Sequence, residues 1–368
     1  MALLLYILYN TIDLVSKHGI YSFIMSLFFS NESYLGIDIG SSSIKIVELK
    51  SQGGKARLLT YGFSENLDDL DQTNPDKIAG IINKICEAAG IASRKAVSAL
   101  PTFSVFSSII NLVGVSKKDL PSAINWEAKK VIPLPPEEMI LDWKKIDNTD
   151  QAADKHNIKV LLTGAPRTLV KRYIEIFKNA QINLLSLETE TFALIRSLLG
   201  NDKSTVMVVE IGAKTTSFTI IDQSIPILNR SIDIGGWTIT KAISHSLNIG
   251  LARAEQFKYD LGVGSFAAAD NAIPRTIIDS ISPIVNEIKY ALTLFQSKNN
   301  KKVDKIILSG GSALLMNFTG YLSKILNINV VAGNPWSTIS YPLDLKPLLD
   351  EIAPRLAIAI GLALREME

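Results

Sequence analysis

Two glycine turns that each carry an acidic residue are the part of this sequence best suited to bind phosphate groups. The first turn is Asp38-Ile39-Gly40-Ser41-Ser42-Ser43, and the second is Glu210-Ile211-Gly212-Ala213-Lys214-Thr215. Glycine allows a tight turn that a Cβ atom would obstruct, and the residues after it supply N–H and hydroxyl donors. A carboxylate at such a turn suits Mg²⁺, either directly or through water. Two facing copies would direct donors and carboxylates at one phosphate chain, which predicts a nucleotide-binding cleft between duplicated lobes.

Apolar runs on both sides of each turn predict the strands that position it. Around the first turn they are Tyr34–Ile37 and Ile44–Leu49, and around the second they are Val206–Val209 and Phe218–Ile221. A further strand follows in each copy, which predicts an antiparallel meander. After the first meander, Asn74-Pro75 predicts the N-terminus of a helix. The repeated order of elements predicts an α/β protein built from two duplicated lobes.

A third glycine turn, Gly310-Gly311-Ser312, follows the apolar run Ile306–Leu308 and precedes a helical stretch. A strand that ends in such a turn at a helix N-terminus is a further place for nucleotide contacts. Lys45 and Lys214, close to the first two turns, either neutralise phosphate charge or extend outward from strand ends. Each turn alone is ordinary, and their combination in one chain favours nucleotide binding.

These patterns divide the chain into four parts. Residues 1–33 are an N-terminal extension, residues 34–94 form the first lobe, residues 95–180 form an inserted α+β subdomain, and residues 181–368 form the remainder of the core. That remainder contains the second lobe, its helical subdomain and a C-terminal helix, expected over Pro354–Arg365, that returns to the first lobe.

The insert is expected to contain strands, one helix and a hairpin. Its elements, in chain order, are the strands Lys95–Leu100 and Ser104–Leu112, a helix that begins at Ser116 and ends before Pro133, and the strands Met139–Ile146 and Asn157–Thr163. The connection Asp147–His156 is polar and is expected to be mobile. Five apolar residues of the insert form either core or a docking surface, namely Trp126, Val131, Ile132, Leu134 and Trp143.

The composition is that of a globular protein and excludes several kinds of partner. Apolar residues make up 47% of the chain and the formal charge is +2, so no basic surplus points to nucleic acid. Cys86 is the single cysteine, which rules out a disulfide within the chain and fits a reducing compartment. The three histidines are far apart and lack neighbouring cysteines, so a zinc site is not expected.

The first thirty residues contain two apolar runs, Met1–Ile12 and Gly19–Ser30. Each run has 12 residues, whereas a membrane-spanning helix needs about 20. A signal peptide would show a basic start and a small-residue cleavage site, and neither is present. Two interpretations stay open: translation starts at Met25, or the segment forms a helix that lies on a membrane.

The three turns, in this order, resemble those of the actin-like ATPase superfamily, in which two phosphate loops and an adenosine motif surround the nucleotide. Glu188–Leu194 and Ala353–Gly361 are similar to its two connecting helices, whose small residues allow a close crossing at the lobe hinge. The resemblance implies an actin-like ATPase fold with two ribonuclease-H-like lobes around a nucleotide cleft. It also implies ATP and Mg²⁺ as ligands.

The resemblance assigns roles to individual residues. Asp38, Glu190 and Glu210 are implied as catalytic residues, and Asp38 and Glu210 also as Mg²⁺ ligands. Glu190 either orients water, holds the waters of Mg²⁺ or caps its helix. Glu255 and Lys258 either border the adenosine, as in the superfamily, or form an exposed ion pair. The implied nucleotide contacts are Gly40, Ser41, Ser42, Ser43, Lys45, Gly212, Ala213, Lys214, Thr215, Glu255, Lys258, Gly310, Gly311 and Ser312.

The second turn departs from the superfamily pattern, because Glu210 stands where aspartate is usual and Ala213-Lys214 where small residues are common. One extra methylene moves the carboxylate by about 1 Å, and a misplacement of that size can cost about 100-fold in rate. We therefore expect slow hydrolysis at most, in a protein whose nucleotide acts mainly through conformation.

Within the superfamily, the sequence resembles the PilM family of type IV pilus assembly. The segments that carry this resemblance are Gly36–Lys45, Ala123–Ala128, Ile132–Pro135, Leu141–Trp143, Glu190–Ala193 and Ile234–Gly236. The resemblance implies an ATP-binding cytoplasmic scaffold, peripheral at the inner membrane, with an insert like that of FtsA. It implies that a groove between the first lobe and the insert holds the short cytoplasmic N-terminus of the inner-membrane protein PilN. Contacts with further pilus assembly proteins and self-association into a ring are also implied.

Two other functions stay open. An FtsA-like filament-forming protein would share the insert, but FtsA ends in a linker and an amphipathic membrane helix, whereas four residues follow Leu364 here. A sugar or acetate kinase of the same superfamily would need an acceptor-binding cluster. No such cluster is visible in the sequence apart from Asp38, Glu190 and Glu210.

Overall fold

A computed structural model describes residues 32–65, 67, 69–116, 118–146, 157–264 and 272–367. Residues 1–31 of the expected N-terminal extension and the expected mobile connection Asp147–His156 lie outside the described residues. Within the described part of the chain, no helix is long and apolar enough to cross a membrane.

The strands form three sheets. In chain order they are β1 (Ser33–Ile39), β2 (Ile44–Gln52), β3 (Lys55–Ser64), β4 (Lys95–Leu100), β5 (Phe106–Val113), β6 (Met139–Ile146), β7 (Asn157–Pro166), β8 (Asn183–Thr189), β9 (Val206–Ile211), β10 (Thr216–Asp222), β11 (Ile225–Ile232), β12 (Lys305–Ser309), β13 (Asn329–Ala332) and β14 (Ile339–Ser340). The strand orders are β14-β3-β2-β1-β4-β8 in the first lobe, β11-β10-β9-β12-β13 in the second lobe and β5-β7-β6 in the insert.

The two larger sheets share one topology, which confirms the predicted duplication. In the first sheet, β1 pairs antiparallel with β2 and parallel with β4. In the second sheet, β9 pairs antiparallel with β10 and parallel with β12. Each lobe is therefore a meander extended by parallel strands, and each acidic turn joins the first two strands of its meander.

The helices cover the sheets and connect the lobes. They are α1 (Pro75–Ala88), α2 (Leu120–Val131), α3 (Arg167–Asn179), α4 (Glu190–Leu194), α5 (Gly236–Leu247), α6 (Leu251–Leu261), α7 (Ala272–Asn299), α8 (Phe318–Leu326) and α9 (Lys346–Leu364). A π-helical turn over Ile195–Leu199 continues α4, and Gly200 follows it. Asn74 caps α1 as predicted, because its side chain accepts a hydrogen bond from the N–H of Asp76 at 2.8 Å.

The C-terminal helix α9 meets its neighbours at glycines. A Cβ atom on Gly36 of β1 would lie 1.7 Å from the carbonyl oxygen of Ala359. A Cβ atom on Gly361 would lie 2.0 Å from the carbonyl oxygen of Ala193 in α4. The close helix crossing predicted from the small residues is therefore present, and backbone packs on backbone at this hinge.

The core is continuous between the two lobes. Val97 of β4 and Val208 of β9 are buried in one cluster with Ala357 of α9. Further apolar clusters lie under the helices of each lobe. Because burying a valine side chain contributes about 1.5–3 kcal/mol, this shared cluster holds both sheets against α9 and fixes where the acidic turns sit.

Both boundaries of the insert and the starts of two helices differ from the sequence expectation. β4 and α3 are part of the first lobe and not of the insert, because β4 pairs with β1 and α3 packs against α1. The sheet and helix of the insert therefore lie within residues 106–166. α2 begins at Leu120 and not at Ser116, since Pro121 fits the first turn of a helix. α9 begins at Lys346 and carries Pro354 in its interior, so this proline does not start the helix.

Candidate functional site

The two acidic turns contain the same backbone hydrogen bond. The N–H of Gly40 donates to the carbonyl oxygen of Ser43 at 2.9 Å. The N–H of Gly212 donates to the carbonyl oxygen of Thr215, also at 2.9 Å. The duplication therefore extends from the sheets to the individual bonds of the turns.

In the first turn, the carbonyl groups are bound by the segment that follows β3. Ser41 accepts from the N–H of Leu70 at 3.0 Å, and Ser42 accepts from the N–H of Leu67 at 3.0 Å. In a trans peptide the C=O of one residue and the N–H of the next point in opposite directions. The N–H groups of Ser42 and Ser43 are therefore directed away from this segment.

In the second turn, the N-terminus of α5 binds the corresponding carbonyl groups. Gly212 accepts from the N–H of Gly236 at 2.8 Å, and Ala213 accepts from the N–H of Trp237 at 2.8 Å. By the same peptide geometry, the N–H groups of Ala213 and Lys214 point away from α5. Both turns thus have successive N–H donors of the kind that bind anions.

Three carboxyl groups and one lysine lie around these turns. Asp38 is in β1, Glu190 begins α4 and Glu210 is in β9. Asp38 is buried and forms an ion pair with Lys45 of β2, with 2.9 Å between Oδ2 and Nζ. Glu190 and Glu210 are half-buried. The structure thus brings together the three acidic residues that the sequence analysis selected.

Desolvation and mutual repulsion perturb the titration of this group. The pKa of Glu190 is raised to about 7, first by burial and then by the charge of Asp38. The pKa of Glu210 is raised well above its usual value, first by burial and then by the charge of Glu190. Burial alone would lower the pKa of Lys45, but the charges of Asp38, Glu210 and Glu190 outweigh this effect and raise it. Burial and mutual repulsion thus favour the protonated forms of Glu190 and Glu210, and a cation bound among the three acids would favour their ionised forms.

The acidic residues are suited to Mg²⁺ that binds together with a nucleotide. They are less suited to a metal ion that is held by protein ligands alone. Within the described ranges, no group of three or more His, Cys, Asp or Glu side chains is placed to hold a metal ion. Mg²⁺ typically binds through one or two carboxylates, waters and the phosphates of its nucleotide. Asp38 and Glu210 meet that smaller requirement, and their role as Mg²⁺ ligands stays a prediction.

Lys214 extends from the second turn to the first lobe. Its ammonium group forms an ion pair with Asp69 and lies 3.6 Å from Oδ2 of Asp71. Both aspartates belong to the segment whose N–H groups hold the first turn. Lys214 therefore joins the two lobes beside the phosphate turns, and the sequence offered no signal for this contact.

Lys258 is buried and is not part of an exposed ion pair. Its Nζ lies 2.7 Å from Oε1 of Glu255 and donates to Oγ1 of Thr240 at 3.1 Å and to the carbonyl oxygen of Gly236 at 3.4 Å. Burial lowers the pKa of Lys258, in spite of the neighbouring Glu255. These bonds attach α6 to the N-terminus of α5, the same N-terminus that holds the second turn.

The third glycine turn packs directly against the second. Gly310 has a φ of +83°, and a Cβ atom there would lie 2.4 Å from the carbonyl oxygen of Ile211 and 2.8 Å from Oε1 of Glu210. Ser312 is equally close to α5, because its Oγ lies 2.7 Å from where Gly236 would carry a Cβ atom. The third turn therefore packs against both the second turn and the N-terminus of α5.

A contact between Glu190 and the insert was missed by the sequence analysis. The backbone N–H of Thr102 donates to Oε2 of Glu190 at 2.8 Å. Thr102 lies directly between β4 of the first lobe and β5 of the insert. The sequence carries no signal for this contact, because a backbone donor has no residue signature.

Two duplicated meander sheets with facing acidic turns, joined by α4 and α9, define an actin-like ATPase fold. The chain belongs to the family described as type IV pilus assembly protein PilM, which matches residues 36–367. Among solved structures, it is similar to the PilM-PilN type IV pilus biogenesis complex, with a TM-score of 0.79 and 25% identity over 92% of this chain and 99% of that chain.

More distant relatives share the fold. EutJ, an ethanolamine utilization protein from Carboxydothermus hydrogenoformans, has a TM-score of 0.53 and 16% identity, over 90% of this chain and 89% of that chain. The cell division protein FtsA of Bacillus subtilis (strain 168) is 22% identical over 355 residues, which cover 83% of this chain and 79% of FtsA. The fold class predicted from the three turns is thereby confirmed.

Proposed function

We propose that this chain is a nucleotide-binding scaffold of type IV pilus assembly and that ATP with Mg²⁺ binds between the two acidic turns. The observation that carries the proposal is the duplicated turn, with Asp38, Glu190 and Glu210 gathered between its copies. Asp38 and Glu210 would hold Mg²⁺, whose charge offsets that of the phosphates. The N–H groups that follow Gly40 and Gly212 would donate to phosphate oxygens.

In this proposal the nucleotide acts mainly by setting how far the lobes close. Catalysis depends on carboxylate placement within about 1 Å, and Glu210 has a longer side chain than the aspartate usual in the superfamily. ATP hydrolysis is therefore slow at most. A steady turnover of several ATP per second that Asp38→Ala abolishes would contradict this view.

The proposed partner is the cytoplasmic N-terminus of a PilN-like inner-membrane protein, which would hold this chain at the cytoplasmic side of that membrane. Support comes from the similarity to a PilM-PilN complex and from apolar side chains on the insert. Trp126 is 66% exposed, Leu134 39% and Trp143 37%. β6 is an edge strand of the insert sheet, so an extended peptide could add main-chain hydrogen bonds to it.

The Thr102–Glu190 hydrogen bond supports a link between the nucleotide and the partner. Glu190 lies among the acidic residues of the cleft, and Thr102 lies in the segment that connects β4 of the first lobe to β5 of the insert. A nucleotide that changes the charge or position of Glu190 would alter this bond and with it the orientation of the insert. Such a link would make partner affinity depend on the nucleotide, and the reverse.

The experiment is a fluorescence-anisotropy titration of this protein with a labelled N-terminal peptide of PilN from the same genome, with and without Mg²⁺-ATP. We expect saturable binding that changes with ATP, where each tenfold change corresponds to about 1.4 kcal/mol of coupling. Absence of peptide binding under both conditions would overturn the scaffold proposal. Sedimentation of the protein with Mg²⁺-ATP tests self-association. An FtsA-like filament would pellet, whereas a ring would sediment as a discrete species larger than the monomer.

A matched pair of variants tests the link itself. Thr102→Pro removes the N–H that donates to Glu190, whereas Thr102→Ala keeps this N–H and removes only the hydroxyl group, so the pair separates the backbone donor from the hydroxyl, which also interacts with Glu190. We expect Thr102→Pro to bind the peptide equally with and without ATP, and Thr102→Ala to keep the response. An equal ATP response in both variants would mean that this hydrogen bond does not carry the coupling.

A further inference from the structure

Arg172 of α3 has no role in the site as described so far, although it binds the segment that holds the first turn. One nitrogen atom of its guanidinium group, Nη2, donates to the carbonyl oxygen of Leu70 at 2.8 Å and to that of Thr73 at 2.5 Å. Arg172 is 102 positions from Leu70 and 99 from Thr73. The contact therefore joins two parts of the first lobe that are distant in sequence.

Leu70 connects this arginine to the first turn. Its carbonyl group accepts from Arg172, and its N–H donates to the carbonyl oxygen of Ser41 at 3.0 Å. Its side chain is 2% exposed and lies in the core of the first lobe. The C=O of Ser41 and the N–H of Ser42 belong to one planar peptide unit. A displacement of Leu70 would therefore change where the N–H of Ser42 points.

The same segment also contacts the second turn. Asp69 forms an ion pair with Lys214, and Oδ2 of Asp71 lies 3.6 Å from the same ammonium group. Oγ1 of Thr73 donates to the carbonyl oxygen of Asp69 at 2.7 Å, which closes the segment on itself. Arg172 thus binds two carbonyl groups of a short, internally bonded segment that contacts both acidic turns.

The helix that carries Arg172 is attached at both ends. At its start, Nε of Arg167 donates to the carbonyl oxygen of Glu137 in the insert at 2.7 Å. At its end, Nδ2 of Asn179 donates to Oδ1 of Asp76 in α1 at 2.7 Å. Between these contacts, the apolar face of α3 is buried in the core of the first lobe. The helix is therefore a fixed support from which Arg172 holds the segment.

The residue after Arg172 shows that this part of α3 lies close to the acids of the cleft. Tyr173 is buried, and its pKa is raised, first by burial and then by the charges of Glu190, Asp38 and Asp71. Charge interactions weaken with distance, so these carboxyl groups lie near the tyrosine. The second turn of α3 is therefore beside the proposed phosphate site.

We propose that Arg172 is a positioning residue for phosphate binding, which holds Leu70 and, through it, the N–H donors of the first turn in the orientation that binds phosphate oxygens. The inference rests on the proposed nucleotide binding and adds a residue that acts without touching the nucleotide. Because Arg172 acts on the phosphate turn, ATP and inorganic triphosphate depend on it equally.

The test is isothermal titration of the wild-type protein, Arg172→Met and Arg172→Lys with Mg²⁺-ATP and with Mg²⁺-tripolyphosphate. Methionine keeps an unbranched side chain without a donor, and we expect it to weaken the binding of both ligands about tenfold or more. A single nitrogen atom makes both hydrogen bonds, so the ammonium group of a lysine can replace it. Arg172→Lys should therefore bind both ligands within about threefold of the wild-type protein.

Lys171→Met is the matched control, because Lys171 is the exposed neighbour of Arg172 and its replacement removes the same charge from α3. It should leave both affinities unchanged. Equal losses in Lys171→Met and Arg172→Met would overturn the proposal, since only the charge of α3 would then matter. A loss in Arg172→Lys as large as in Arg172→Met would also overturn it, because the hydrogen bonds would not be the cause.

Hydrogen exchange of the protein without ligand tests the positioning directly. Mass spectrometry of peptides that contain Leu67 and Leu70 reports the two N–H groups that donate to the first turn. We expect faster exchange there in Arg172→Met than in the wild-type protein, with exchange in β9 and β10 of the second lobe unchanged. Exchange that does not change, or that rises equally in both lobes, would contradict a specific role of Arg172.

The outcomes separate this inference from the function on which it rests. Failure of the wild-type protein to bind either ligand would remove the proposed nucleotide binding and this inference with it. Equal affinities of the wild-type protein and Arg172→Met would overturn the inference alone. A loss for ATP without a loss for tripolyphosphate would also overturn it, because Arg172 would then act on the nucleoside part.

Discussion

The two acidic turns have the same backbone but different electrostatic partners. In the first, Asp38 pairs at 2.9 Å with Lys45, a lysine of the same meander. In the second, the turn's own lysine, Lys214, extends to Asp69 and Asp71 of the other lobe. Glu210 is left beside Glu190, and its pKa rises well above the usual value because of burial and that neighbour.

The difference separates what the duplicated backbone determines from what the side chains determine. The glycines and the strand pairing fix where the N–H donors point in both copies, whatever the flanking side chains are. The charge of each copy depends on where its lysine pairs. Lys45 pairs with the acid of its own turn, whereas Lys214 pairs with the other lobe. One copy therefore has an internal ion pair, and the other has a carboxyl group that holds its proton more tightly and a lysine that connects the lobes.

The largest effect should come from breaking the ion pair of the first turn. Asp38→Ala leaves Lys45 with its side chain largely buried and without its partner, and removing one member of such a pair costs about 3–5 kcal/mol. We expect a loss of this order in the free energy of unfolding, measured by urea denaturation, together with loss of Mg²⁺-ATP binding. The double variant Asp38→Ala, Lys45→Met is the control.

The double variant should recover much of the stability, because it buries neither charge, but it should not recover Mg²⁺-ATP binding. Equal stability of Asp38→Ala and the wild-type protein would show that the first turn does not depend on its internal ion pair. The contrast between the two turns would then be lost.

The next largest effect concerns the length of the acidic side chain in the second turn. Glu210→Asp gives this turn the acid of the first, and a shift of about 1 Å can change a rate by about 100-fold. We expect faster ATP hydrolysis than in the wild-type protein, measured by phosphate release at saturating Mg²⁺-ATP. Glu210→Gln, which keeps the length without the charge, should not accelerate hydrolysis.

Glu190 should give a smaller effect that depends on pH. Its pKa of about 7 in the folded protein exceeds the ordinary value of 4.5. The folded state therefore binds this proton more tightly than the unfolded chain. This contribution to stability is complete below about pH 4.5 and is lost as the pH rises through about 7.

We expect Glu190→Gln to flatten the fall in unfolding free energy between about pH 4.5 and 7. Asp38, Glu210 and Lys45, which face Glu190, remain in both proteins, so the difference between the two curves reports Glu190 together with its charge interactions with these three groups. Parallel curves for the variant and the wild-type protein would show that Glu190 titrates normally.

The fold and the central acids could be predicted from the sequence because their signals are local. Asp38-Ile39-Gly40 and Glu210-Ile211-Gly212 combine apolar periodicity with glycine turns, and both features lie within a dozen residues. The repeat also predicted the duplication that the two sheets confirm. Asn74-Pro75 located the start of α1 for the same reason.

The remaining contacts could not be predicted, because each joins segments that are distant in sequence. Thr102 reaches Glu190 through its backbone, and Arg355 reaches Glu65 over 290 positions. The boundaries of the insert were misjudged for a related reason. Lys95–Leu100 has the pattern of a strand, but the pattern does not say which sheet it joins.

The smallest effect should come from the ion pair that connects the lobes. Lys214, Asp69 and Asp71 are each more than a third exposed, and exposed pairs contribute about 0–1 kcal/mol. Lys214→Ala should therefore change the free energy of unfolding by less than about 1 kcal/mol. Lys45→Ala, in the other turn, should lower the free energy of unfolding several times more, because it leaves Asp38 buried and unpaired. Equal costs for the two lysine variants would mean that the copies do not differ in electrostatics, since the contact between the lobes would then be as important for stability as the ion pair within one turn. Raising the salt concentration sharpens the measurement, because it screens the exposed pair of Lys214 far more than the buried pair of Lys45.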